Sequence, residues 1–154
     1  MSMRDEILNN LKTRLDLVKA SNGYATDVFK VFKDEIPMGM SLEPHELPSI
    51  LLIPGMTKID PKPSNRINCE WTVYLQLIHG AATDTAMMNF VSDIGKAIFA
   101  GSPTADRQDD YRTIHHSIYK LDIVAIEPDL NMIEANRFFI VELNIKFTTK
   151  YNDL

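Results

Sequence analysis

The sequence predicts an α+β fold, a mainly antiparallel sheet of four to five strands with two helices packed on one face. Three observations predict it. The chain opens with an amphipathic helix that stops at Asn22-Gly23-Tyr24 and runs into a β-rich segment. Two long segments, 66–79 and 137–149, alternate between apolar and polar residues. A second amphipathic helix, 82–100, lies between them in sequence, so strands flank a single crossover helix.

Ser2-Met3-Arg4-Asp5 fits a capping box, with an acid three residues after the serine. Ile7, Leu8, Leu11, Leu15 and Val18 follow helical spacing, while Asn9, Asn10, Thr13, Asp16 and Leu17 fall off that stripe. Gly23 supplies a left-handed residue to end the helix. Residues 26–33 are β-branched and aromatic and predict the first strand. Residues 37–48 hold three prolines and a glycine and predict a loop. The run 49–53 predicts a short strand covered on both faces, ended by Pro54-Gly55, and 56–64 predicts a mobile loop.

The segment 66–79 predicts a long strand with Ile67, Cys69, Trp71, Val73, Leu75 and Leu77 on the buried side. In 82–100, Thr83 or Asp84 is the expected cap and Gly101 the stop; Met87, Val91, Ile94 and Ile98 make the stripe. Phe90 and Ala97 widen the stripe on one flank, Met88 and Phe99 on the other, so the helix is either sunk in the core or covered by a second surface. Residues 102–112 predict a loop, 113–126 a strand with Tyr119, Leu121, Ile123 and Ala125 on one side, and 128–135 a turn region. In 137–149, Phe139, Val141, Leu143, Ile145 and Phe147 oppose Phe138, Ile140, Glu142, Asn144, Lys146 and Thr148. The polar faces of the two long strands should look at solvent or a neighbouring subunit. The 154 residues are expected to form one domain, 1–154.

Apolar residues at 45% and charged residues at 24% are those of a globular chain. A net charge of −5 disfavours a general grip on nucleic acid. The single cysteine, Cys69, rules out an intramolecular disulfide, and on the apolar face beside Trp71 it reads as an inert thiol. Acids at the N-terminus and the absence of a long apolar run predict a soluble intracellular product with no membrane partner.

Phosphate-loop, dinucleotide and nucleophile-elbow motifs are missing. His45-Glu46 lacks the second histidine of a zinc-protease helix and lies between Pro44 and Pro48. The densest polar cluster is Asp109, Asp110, Tyr111, His115 and His116. It could be a metal or acid–base site, but adjacent histidines on a strand point to opposite faces and would not share a metal. Asp27 reads as turn chemistry. The sequence thus offers no catalytic, cofactor or metal residues.

Taken in order, Ile7-Leu8-x-x-Leu11-x-x-x-Leu15, Asn22-Gly23-Tyr24-x-Thr26-Asp27-Val28, Phe32, Glu46-Leu47-Pro48-Ser49-Ile50, Trp71-x-Val73-x-Leu75 and the closing alternating strand resemble the small tail terminator, or tail completion, proteins of tailed bacteriophages. The loops 56–64 and 102–112 are longer than that family leads one to expect. The resemblance implies a minor tail protein in the virion, assembled in the bacterial cytoplasm as a homo-oligomeric ring, usually a hexamer. Such a ring caps the tail tube, ends its polymerisation and offers a surface to head–tail connector or neck proteins; DNA passes in transit and no bond is made or broken. The competing readings are a head-completion or neck protein, a small enzyme using the cluster from Asp109 to His116, and a monomeric ligand-binding domain. Leu17, Met38, Met40, Met88, Phe99, Tyr111 and Arg112 are the expected contacts with other subunits or partners. Charge reversal at Arg112 together with Met88→Asp is expected to block assembly and leave the monomer folded.

Overall fold

The computed structural model describes residues 2–33, 43–62, 65–80, 83–104, 113–133 and 136–154. They form α1 (Met3–Asp16), β1 (Lys30–Phe32), β2 (Ser49–Pro61), β3 (Arg66–His79), α2 (Asp84–Phe99), β4 (Ile118–Ile133) and β5 (Asn136–Lys150). The sheet order is β1-β2-β3-β5-β4. β1 pairs parallel with β2, and every other pair is antiparallel. This is the α+β architecture that the sequence predicts.

Both helices are capped as expected. The Ser2 hydroxyl accepts the Asp5 N–H at 3.2 Å, and the Thr83 hydroxyl accepts that of Ala86 at 3.2 Å. Ile7, Leu8, Leu11 and Leu15 of α1 are buried with Phe90, Ile94, Ala97 and Ile98 of α2 against Ile67, Cys69, Trp71, Val73, Leu75 and Leu77 of β3. Val141, Leu143, Ile145 and Phe147 of β5 complete this core. Fully burying each aliphatic side chain contributes about 1.5–3 kcal/mol. Arg14, in the last turn of α1, donates to the Ile98 carbonyl at 3.1 Å, so its positive charge sits at the negative end of α2.

The structure corrects several boundaries. The first strand covers only Lys30–Phe32, because the backbone N–H groups before it are spent outside the ladder. Thr26 donates to Asp93, Val28 to the Val18 carbonyl at 2.9 Å, and Phe29 to the Pro48 carbonyl at 2.7 Å. Gly23, at φ 93°, closes the short 3₁₀ turn Ala20–Asn22, whereas α1 itself ends at Asp16.

Pro54-Gly55 does not end β2. Among the described residues nothing pairs with the strand on its β1 side beyond Leu51, so there it is an edge, where a proline costs no ladder bond. A bulge between Pro54 and Thr57 absorbs the irregularity, and Gly55 is needed there: a Cβ would lie 2.8 Å from the Thr72 carbonyl oxygen. Residues 56–61, expected as loop, are therefore strand.

Likewise β4 begins at Ile118, not at 113, and continues through Pro128 to Ile133 as an edge strand, so the expected turn over 128–135 is mostly strand. Register shifts at Ile118/Lys120 and Ile123/Ala125 change its facing. Ile118 and Leu121 are buried, and Tyr119 is exposed instead of sharing a face with Leu121.

The sheet face away from the helices is not wholly polar. Phe32, Leu51, Ile78 and Phe138 form a second buried cluster there, with Leu47 and Ile53 packed against it.

Candidate interaction surface

The expected contact residues fall into three groups. Leu17, at the C-cap of α1, is 55% exposed, and Met88 on α2 is 68% exposed. Phe99 is only partly exposed and packs against the main core. Met38, Met40, Tyr111 and Arg112 lie outside the described residues. The Arg14–Ile98 hydrogen bond brings the end of α1 that carries Leu17 to the end of α2 that carries Phe99. Met88 is on the same side of α2 as Phe99, about three turns earlier. The two flanks of α2 thus divide: Phe90 and Ala97 are sunk in the core, while Met88 faces outward.

Most other exposed apolar side chains lie on β2 and β4, with Phe29, Tyr74 (on β3) and Tyr151 elsewhere. Met56 and Ile59 are on β2, where β1 leaves it uncovered; Tyr119, Val124 and Ile126 are on β4. They therefore stand at opposite edges of one sheet. Sequence reasoning missed the first pair because Pro54-Gly55 and Pro61 read as loop punctuation, although Met56, Lys58 and Asp60 alternate with Thr57 and Ile59.

The two long strands place their polar side chains on the exposed face. Asn144 donates to Glu70 at 2.8 Å and the Thr148 hydroxyl to Asn68 at 3.1 Å. The Asn144 hydrogen bond holds the Glu70 carboxyl below its usual range, and Lys146, Lys58 and Lys120 add to that. Burial pushes the Cys69 thiol up, away from nucleophilic reactivity.

The histidine cluster is arranged differently from the expected opposed pair. His115 and His116 precede β4, in a turn, and their rings stack at 4.4 Å. The Ser117 N–H donates to His115 Nδ1 at 3.1 Å, so Nδ1 is an acceptor and Nε2–H donates to Glu6 at 3.0 Å. The Ser117 hydroxyl lies 2.7 Å from the same Nδ1 and reaches Met3 Sδ at 3.3 Å. The chain Glu6–His115–Ser117 fastens the entry to β4 onto α1, and its one free ring lone pair already holds a backbone donor. Asp109 and Asp110 lie outside the described residues, and among the described residues no three His, Cys, Asp or Glu side chains are grouped to hold a metal ion. His45 sits in the 3₁₀ turn Pro44–Glu46, edge-on to Phe29 at 6.4 Å. Asp27 accepts the Ala20 N–H at 2.6 Å, the turn role expected of it. Among the described residues no helix is long and apolar enough to cross a membrane.

These features define a two-layer α+β fold with outward apolar side chains that include Met56 and Ile59 on β2, Val124 and Ile126 on β4 and Met88 on α2. No family model matches the chain, and no curated protein matches it. Among solved structures, 28 chains match. One belongs to a structure described as the virion of a native gene transfer agent particle; it is 9% identical, with a TM-score of 0.52 over 96% of this chain and 96% of that chain. The two share a fold along nearly their whole length.

Proposed function

We propose that this protein is a structural component of a phage-like virion and that it caps the tail tube as a homo-oligomeric ring, ending tube growth and presenting a surface to head–tail connector or neck proteins. The observation that carries the reading is the match, 96% of each chain, to a chain of a gene transfer agent virion. The tail-terminator resemblance of the sequence points the same way and supplies the finer role. A ring needs two different surfaces on each subunit, one for each neighbour. The opposite sheet edges, with Met56 and Ile59 on one and Val124 and Ile126 on the other, supply such a pair. On this reading the protein acts by occlusion and docking, without chemistry on a substrate. Electron microscopy of tails assembled with and without the protein tests it. Overlong tubes in its absence are expected; tubes of unchanged length would reject the capping role, and normal tails that fail to join heads would place the protein at the neck.

A further inference from the structure

The lower end of the exposed sheet face carries an unusual charge arrangement. Arg66 and Lys150 stand directly opposite each other across the β3–β5 ladder, and Lys120 stands opposite Lys146 across β4–β5. Like charges in that relation repel. Glu70 lies opposite Lys146 and answers the second pair, whereas among the described residues the register sets no acid opposite Arg66 or Lys150, and on the β2 side Lys62 donates its N–H to the Arg66 carbonyl. Arg66 and Lys150 line, with Thr148, His116 and Ser117, a cleft of about 470 Å³. Arg66, Lys150 and His116 are exposed. Two cations and an exposed imidazole on one cleft are donors that recognise an oxyanion, while the Thr148 and Ser117 hydroxyls are already donated to Asn68 and Met3.

We propose that this cleft is a docking site for the carboxylates of an acidic protein segment. The surroundings favour carboxylates over a nucleic-acid backbone. Asp60, Glu70, Asp122 and Asp153 are interspersed with the cations, and Asp153 lies in the cleft wall itself. A continuous phosphate chain needs an unbroken basic track, whereas one or two carboxylates need only the Arg66–Lys150 pair. The site is a property of the single chain and stands apart from the ring reading, because binding is read on the isolated protein.

The test is calorimetric titration of the full chain with three probes: a short oligoglutamate peptide, inorganic phosphate and a short duplex DNA. Oligoglutamate is expected to bind, and Arg66→Gln or Lys150→Gln to weaken it about tenfold each, the loss of one charge-assisted contact. Lys96→Gln, on the exposed side of α2, is expected to leave it unchanged. Thermal unfolding of both cleft variants is expected to occur at or slightly above the parent's temperature, since each relieves a like-charge pair. Tighter binding of DNA or phosphate than of oligoglutamate, equal weakening by Lys96→Gln, or no oligoglutamate binding by the folded parent would each overturn the proposal.

Discussion

Asp93, buried at 2% exposure in the middle of α2, accepts the backbone N–H of Thr26 at 2.8 Å. A carboxylate so far from water needs such a partner. The bond fixes the path from α1 to β1 and keeps Thr26 out of the ladder. It also reaches Tyr24, whose phenol is pushed up first by burial and then by the Asp93 charge.

Asp93→Ala is expected to cost about 1–3 kcal/mol, the penalty for leaving a buried N–H unpaired. Asp93→Asn keeps an acceptor and should cost less. Urea unfolding measures both, and hydrogen exchange at Thr26 should accelerate in the alanine variant alone. Equal losses would contradict the acceptor role.

Trp71 is buried against Phe147, edge-on at 6.2 Å, and its Nε1 has no hydrogen-bond partner among the described residues. Trp71→Ala is expected to cost about 3–5 kcal/mol through the cavity it leaves. Trp71→Phe removes the unpaired donor and keeps an aromatic ring, so a loss under about 2 kcal/mol is expected. Chemical denaturation of the two variants decides it.

His79 gives stability a pH dependence. Burial depresses its pKa from the ordinary 6.5, and Nδ1 has no partner among the described residues to hold a proton. As pH falls below about 6.5 the unfolded chain takes up the proton first, so this contribution is present above that pH and is lost towards the lower folded value. His79→Phe, which keeps the ring beside Phe90, should flatten stability against pH in that window. An unchanged slope in parallel denaturant titrations would reject the assignment.

The apolar side chains that face outward should matter to assembly and little to folding. Leu17→Asp, Met88→Asp and Val124→Asp are each expected to lie within about 0.5 kcal/mol of the parent. On the ring reading, at least one of them abolishes capping of purified tail tubes in electron micrographs. Phe99→Ala should instead lower stability by roughly 1–2 kcal/mol, because the ring packs against the core. Capping by all three aspartate variants at the parent level would remove these side chains from the interface.

The long strands and the helices were legible in the sequence. In Arg66–His79 and Asn136–Lys150 the alternation of side chains records burial directly, and in α1 and α2 the cap residues and the apolar stripe do the same. Each of those signals is local: a side chain's spacing along the chain sets its face. Leu17 could be placed off the stripe for the same reason, whereas Met88 and Phe99 share one flank of the same wheel and only packing leaves the first exposed and the second half covered.

Tertiary structure alone decided the rest. Pro54 and Pro128 are tolerated inside strands only because those strands lie at sheet edges, and edge position depends on which strands arrive beside them. The bulges in β4 turned Tyr119 outward by shifting register against β5, and the burial of Asp93 depends on a segment far away in sequence. The facing of Arg66 and Lys150 is likewise a matter of register. The sequence determined which residues prefer to leave water; the partners that received them, and the charges left side by side, were settled by contacts between segments that no local pattern encodes.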